Sequence, residues 1–361
     1  MELYCFIIIV SIFSMLILMS LAYTNGMISK KMKKTMIIAS LLVILAAIFE
    51  FLGEVFDGSS PLLRIPHIIV KFLELSISPL IPYVIAEAFY KMKSRKLVIS
   101  ILSINCIMHF VSIFLGITFY IDINNKYHVC NMYWIFYFAI VVGLLYLVKS
   151  VILFAVDFQS TNKITLFMIL FFVICGCSVQ IIDESIKIVW VTVSLSTILL
   201  YVYCCNLILK VDELTGVLDR RTFENHVHSN HKIGGVLYFD VNDFKMINDI
   251  YGHQFGDKCL KEVAIALKHV YGKHGLCYRV GGDEFCVILG KKHYSIDKLK
   301  DEFNEILALK TIDGNKFPKV AIGYSEYDSD TMKIYDAVSI ADQNMYVDKK
   351  NIKEVNGSIN N

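Results

Sequence analysis

Apolar and polar positions follow two different rhythms in this chain, and the rhythm changes near residue 210. Residues 3–29 contain no Asp, Glu, Lys or Arg, and neither do 97–121, 127–148, 164–182 and 188–209. Two further runs, about 36–56 and 66–90, are apolar with a few ionisable groups. A helix needs roughly 20 apolar residues to cross a bilayer. The pattern therefore predicts an all-α N-terminal region of seven spans. The first is not read as a signal peptide, because no small-residue cleavage site follows it and six more spans do.

Beyond residue 210 the runs shorten. Thr222 to His228 reads as a helix, and Val236-Leu237-Tyr238-Phe239 as a buried strand. Leu260, Val263, Ala264 and Leu267 give helical periodicity over Asp257 to Val270, with Asp257 placed as N-cap. Leu276 to Val280 and Phe285 to Leu289 flank Gly281-Gly282 and read as a β-hairpin. Ile296 to Leu307 reads as a helix, Val320 to Tyr324 as a strand and Tyr335 to Lys349 as a last helix. This order predicts an α/β sandwich with a central mixed sheet. The expected domains are 1–209 in the membrane and 210–361 outside it, with no Pro- or Gly-rich linker and no room for a coiled coil between them.

Composition agrees. A chain that is 56% hydrophobic with mean hydropathy +0.56 is too apolar for an ordinary soluble protein. The net charge of +2 averages two unlike halves. No basic stripe argues for a nucleic-acid partner. The ten cysteines are scattered, so no disulfide framework is expected, and Cys175-Gly176-Cys177 reads as small packing residues. Lys30, Lys31, Lys33 and Lys34 follow the first span, Lys91, Lys93, Arg95 and Lys96 the third, and Lys163 the fifth. Loops 57–64, 121–131 and 183–187 carry little positive charge. Alternation places the N-terminus outside and residue 210 inside. Trp134 and Trp190 fall near expected outer ends, where amphipathic rings settle.

Some ionisable residues interrupt the spans. Glu50 and Glu54 share one helix face, and Lys71 and Glu74 share another; Glu87, His67 and His109 are further cases. Such groups in a bilayer are costly. Two readings stand for Glu50, Glu54, Lys71 and Glu74: a pocket for a small-molecule or ion stimulus, or internal ion pairs. In span count and length the region loosely resembles the seven-helix sensor regions ahead of bacterial histidine kinases and cyclases.

The chemistry lies in two acidic runs, Phe239-Asp240-Val241-Asn242-Asp243-Phe244-Lys245 and Arg279-Val280-Gly281-Gly282-Asp283-Glu284-Phe285. Each is an apolar strand that breaks into carboxylates, hard oxygen donors suited to Mg²⁺ beside a phosphate. Asp240 and Asp283 are the metal-ligand candidates. A carboxylate at Asp257 can accept from two adjacent donors, or it can cap its helix, or both. The Asn248 amide offers a donor and an acceptor side by side.

Four blocks in order carry a family resemblance: Asp212-Glu213-Leu214-Thr215-Gly216-Val217-Leu218-Asp219-Arg220; Asp240 to Leu260, with Phe244-Lys245, Ile247-Asn248-Asp249, Gly252-His253 and Gly256-Asp257; Gly281 to Phe285; and Ala341-Asp342 through Met345-Tyr346 to Lys349. Residues 212–353 resemble the GGDEF domain, the catalytic domain of diguanylate cyclases. The resemblance implies joining of two GTP into cyclic di-GMP with loss of two pyrophosphates, by a homodimer of cytoplasmic domains in the bacterial cytoplasmic (inner) membrane. It implies two Mg²⁺ per site, with Mn²⁺ as an alternative, and adds the Val241 carbonyl as a ligand. Glu284 is assigned metal binding or general-base help. GTP binding falls to Asn248, Asp257, Phe244, Lys245, Lys349 and Lys353. The family usually has Arg where Lys353 stands, and a Lys cannot fork onto phosphate. Asn242 replaces a common Asp that is not an expected ligand. Gly272 and Gly275 stand where many members carry the Arg-x-x-Asp of a product-inhibition site, so that site is expected to be absent. A non-catalytic GTP-binding receptor is the rival reading, for which Lys353 leaves room. A transporter with a regulatory tail is disfavoured because the spans contain no convincing internal repeat.

Overall fold

The computed structural model describes residues 2–160, 163–183, 186–228, 233–292, 294–312 and 314–359. Residues 184 and 185 of the expected loop at 183–187 lie outside them. The chain divides into two compact units, Met1–Ile208 and Leu209–Asn361.

The first unit contains α1 (Glu2–Thr24), α2 (Lys30–Phe56), α3 (Arg64–Ile77), α4 (Leu80–Phe89), α5 (Arg95–Leu115), a hairpin of β1 (Phe119–Ile121) and β2 (Tyr127–Val129), then α6 (Trp134–Asp157), α7 (Lys163–Ile182) and α8 (Val189–Ile208). Among the described residues six segments are long and apolar enough to cross a membrane: α1, α2, Pro61–Phe89 (which holds α3 and α4), α5, Asn131–Asp157 and α8. In α7 the described apolar stretch is Ile164–Gln180. Six of the seven expected spans meet that length and composition among the described residues, and the remaining one, α7, is a helix of 20 residues. Pro79, which has no N–H to donate, separates α3 from α4 inside one apolar run. Lys30 to Lys34 form the first turns of α2 rather than a loop; Ser29 caps that helix by accepting from the Met32 N–H at 3.2 Å. Trp134 is 56% exposed, whereas Trp190, the second residue of α8, is buried and donates its indole N–H to Glu50. All ten cysteines are free.

The second unit contains α9 (Arg220–His228), β3 (Ile233–Val241), α10 (Phe244–Tyr251), α11 (His253–Tyr271), β4 (Gly275–Arg279), β5 (Glu284–Gly290), α12 (Ile296–Ala308), the short β6 (Thr311–Ile312) and β7 (Asn315–Lys316), β8 (Val320–Glu326) and α13 (Ile334–Ile359). The main sheet runs β4-β5-β3-β8, antiparallel throughout. A parallel bridge, Leu218 to Tyr278, makes it mixed at the β4 edge. β3 is central and covered on both sides, which explains its continuous apolar run. Phe239 packs edge-on against Tyr271 and Phe303 on one face. Val236 packs with Cys286, Ala337 and Ala341 on the other. α11 begins at His253 with Gly252 as N-cap, not at Asp257. Gly252 has φ +81°, a turn that α10 can make straight into α11.

Candidate active site

β3 and β5 set the geometry. Their register places Asp240 directly opposite Glu284. Opposed residues of an antiparallel pair share a face, with Cβ atoms about 4.5–5.5 Å apart, and like charges there repel. Two carboxylates are thus fixed side by side at the end of the central strands. Asp283 immediately precedes β5, and its carbonyl accepts from the Val241 N–H at 3.2 Å. The signature turn is in this way tied to the end of β3. A Cβ on Gly281 would collide with the Glu284 carboxylate and lie 3.1 Å from the Glu284 Cβ, so glycine here leaves room for the acid to fold over the turn.

The electrostatics follow from this crowding. Burial first, then the Asp240 charge, pushes the Asp283 carboxyl above its ordinary value. Burial, Asp240, Asp283 and Asp342 do the same to Glu284. A cation set among these oxygens would relieve the repulsion. Among the described residues no three His, Cys, Asp or Glu side chains close into a complete metal cage.

Helix α13 forms the opposite wall. Asp342, Tyr346 and Lys349 recur at helical spacing and, with Asp240 and Glu284, line a cleft of about 440 Å³. Lys349 Nζ donates to Asp240 Oδ1 at 2.6 Å. The neighbouring Asp348 accepts from the Ile322 N–H of edge strand β8 at 2.9 Å, which fixes the helix's rotation. One turn on, Lys353 Nζ pairs with Asp243 Oδ1 at 3.1 Å. Asp243 takes a left-handed φ of +55° to start α10, a conformation Asp tolerates better than most residues.

The remaining sequence candidates lie along α10 and α11. Asn248 is half-buried, and its Oδ1 has no hydrogen-bond partner among the described residues. Asp257 and Lys245 are exposed. Phe244 packs beside the small cluster of Ile247, Phe255, Cys259 and Ile312.

Sequence reading missed Arg279. Its guanidinium donates to the Gly282 carbonyl, from Nη2 at 2.6 Å, and to Asp212 Oδ1 and Oδ2 at 3.1 and 3.3 Å. Asp212 also accepts from the N–H and hydroxyl of Thr215 at 2.9 and 2.5 Å. The opening block and the signature turn are therefore one hydrogen-bonded assembly. A charged residue at the strand end beside Gly-Gly was the available signal.

In the first unit, Lys71 pairs with Glu74 at 3.0 Å. Glu50 accepts from Trp190 and from Gln180, the latter at 3.2 Å, and Glu54 pairs with Lys187. A Cβ on Gly53 would meet the Lys71 ammonium at 2.9 Å, so Lys71 lies against the α2 turn between the two acids. Glu50, Glu54, Lys71 and Glu74 are gathered there, each with a partner within the unit.

Comparison with known proteins places this arrangement. Residues 209–354 match the family model "Diguanylate cyclase, GGDEF domain". Diguanylate cyclase DgcP of Escherichia coli is 33% identical over 151 residues, covering 38% of this chain and 44% of that protein. Probable diguanylate cyclase DgcI of Escherichia coli is 32% identical over 143 residues, covering 39% and 31%. The chain spans less than half the length of these curated relatives. The active GGEEF domain of a diguanylate cyclase from Vibrio cholerae is 28% identical, with 37% of this chain and 85% of that one covered and a TM-score of 0.32. Over residues 209–354 the C-terminal unit matches the GGDEF domain, and it is joined to a helical region with several long apolar helices.

Proposed function

We propose that this protein is a membrane-anchored diguanylate cyclase that joins two GTP into cyclic di-GMP and two pyrophosphates. The observation that carries the reading is the Asp240–Glu284 register pair, with Asp283 tied to Val241 at the same strand end. The 3′-oxygen of one GTP attacks the α-phosphorus of a second. The bond to pyrophosphate breaks, and the reciprocal attack closes the ring. Glu284, raised by burial and then by its acidic neighbours, lies where it can receive the hydroxyl proton. Asp240, Asp283 and the Val241 carbonyl would hold two Mg²⁺, or Mn²⁺ in its place. Bound there, the metal neutralises charge on the reacting phosphate. Lys349, Lys245 and Lys353 offer positive charge to the triphosphate, Asn248 and Asp257 read guanine, and Phe244 supports them. Catalysis is mostly positioning and charge neutralisation.

One GGDEF unit supplies one GTP, so two units meet as a homodimer. The apolar region spans the bacterial cytoplasmic membrane seven times, α7 included, with the N-terminus outside and the catalytic unit in the cytoplasm. It regulates turnover in response to a small molecule or ion, for which the Glu50, Glu54, Lys71 and Glu74 cluster is the candidate sensor. With Gly272 and Gly275 in place of an Arg and an Asp, the enzyme lacks the product-inhibition site.

The test is Mg²⁺-dependent conversion of GTP by the full-length protein and its Asp283→Ala variant. Cyclic di-GMP from the first alone supports the assignment. Full turnover by the variant overturns it, and GTP binding without pyrophosphate release means a receptor.

A further inference from the structure

A second cleft, of about 330 Å³, opens in the first unit between α2 and α4, lined by Lys31, Thr35, Ile38, Tyr83, Val84, Glu87, Lys91 and Arg95. Its chemistry is two-sided. Lys31, Lys91 and Arg95 bring three cations to one end. Ile38 (40% exposed) and Val84 give an apolar wall below them. Lys31, Thr35 and Ile38 fall on one face of α2, so the change from cationic to apolar runs along the helix axis.

The single acid does not balance the three bases. Glu87 Oε1 accepts from the Tyr146 hydroxyl at 2.7 Å, and Glu87 Oε2 lies 3.5 Å from Arg95 Nε. Arg95 Nε also donates to the Tyr83 hydroxyl at 3.0 Å. These contacts hold Glu87 and Arg95 in place and leave Lys31 and Lys91, both exposed, facing the opening.

Helix electrostatics point the same way. α2 starts at Lys30 and α5 at Arg95, and neither has an acid in its first turn. Helix N-termini carry partial positive charge and favour anions. Here both N-termini carry cations instead, an arrangement that repels itself unless an anion joins it.

We infer that this cleft binds the phosphate headgroup of an anionic phospholipid, with its acyl chain along Ile38 and Val84. The cations select the phosphate, and the apolar wall selects a lipid over a free anion. The inference rests on the reading of this region as membrane-embedded and not on the cyclase assignment.

The test uses the full-length chain in nanodiscs of phosphatidylcholine with or without phosphatidylglycerol, with retained lipid counted by native mass spectrometry. Wild type is expected to retain phosphatidylglycerol over phosphatidylcholine. Removing cations should weaken retention roughly fivefold each, so a Lys31→Gln/Lys91→Gln/Arg95→Gln variant should lose the preference. A Lys34→Gln/Lys93→Gln/Lys96→Gln variant, which loses the same charge at exposed positions outside the cleft, should keep it. Equal loss in both variants means general surface attraction and overturns the site. Displacement of the lipid by millimolar inorganic phosphate means a free-anion site and overturns the lipid. Wild type that inserts but has no preference overturns the proposal without any variant having to fold. Failure to insert in any nanodisc overturns the membrane reading instead.

Discussion

Lys349 on α13 donates to the Asp240 carboxylate across 2.6 Å, so the amine that would meet phosphate in the proposed reaction is the counter-charge of the acid that would hold metal. On that reading one residue serves two partners in turn. When triphosphate draws the amine away, Asp240 is released to its metal, and nucleotide and metal should bind together. Lys349→Met is expected to lower turnover by about 10²–10³-fold, as loss of a single charge-stabilising donor does in other enzymes. It should also tighten Mn²⁺ binding measured without nucleotide. Unchanged Mn²⁺ affinity would mean that the ion pair does not compete with metal.

Arg279 joins the opening block to the signature turn, and both it and Asp212 are mostly buried. Burial works to raise the Asp212 carboxyl, but the bonds from Thr215 and Arg279 outweigh it and hold it below the usual range. Arg279→Met should destabilise by about 1.5–3 kcal/mol, the range for charge-assisted bonds. Arg279→Lys should cost less, because it keeps the charge but not the fork. A depressed carboxyl contributes stability that is complete above the unfolded value, about 3.9, and is lost as pH falls through the folded value. The difference between wild type and Arg279→Met in a denaturant melt should therefore narrow below about pH 4.

These two contacts mark the boundary of what the chain discloses by pattern. Asp240, Asp283 and Glu284 were legible because each breaks an apolar strand run, and strand alternation decides which face they take. The bond from Arg279 to Asp212 joins residues 67 apart, and that from Trp190 to Glu50 joins residues 140 apart. Local periodicity carries no record of such partners. The start of α11 was missed for another reason. Its apolar face begins only at Phe255, so the turn made by Gly252 leaves no hydrophobic trace ahead of it. Likewise, hydropathy read 66–90 as a single run, although Pro79 splits it into two helices.

The raised carboxyls of Asp283 and Glu284 make the metal-free site a cost to the fold. A folded state with raised acid pKa binds protons more readily than the unfolded chain, so its penalty is present at neutral pH and disappears as pH falls. Glu284→Gln or Asp283→Asn should raise the metal-free melting temperature at pH 7 by roughly 1–3 °C, the effect being screened at a half-exposed site. The gain should vanish near pH 4, and turnover should fall at least about 10³-fold. A lower melting temperature at pH 7 would show that the acids do not repel one another in the fold.

Gly323 in β8 faces the backbone of α13. A Cβ there would strike the Ala341 carbonyl and the Met345 N–H and would stand 2.8 Å from the Met345 Cα. These are main-chain atoms of a helix and cannot rotate aside, so the helix itself must move. Asp348 would then leave Ile322, and Lys349 would leave Asp240. Gly323→Ala is expected to destabilise by about 1–3 kcal/mol, as overpacking does. It should also cut turnover further at temperatures where the variant is still folded. Gly282→Ala is the control: its Cβ would meet nothing within 4 Å, so its melt should match wild type. Denaturant melts alongside GTP turnover separate the cases. A Gly323→Ala protein with wild-type activity would mean that the seating of α13 on β8 does not set the position of Lys349.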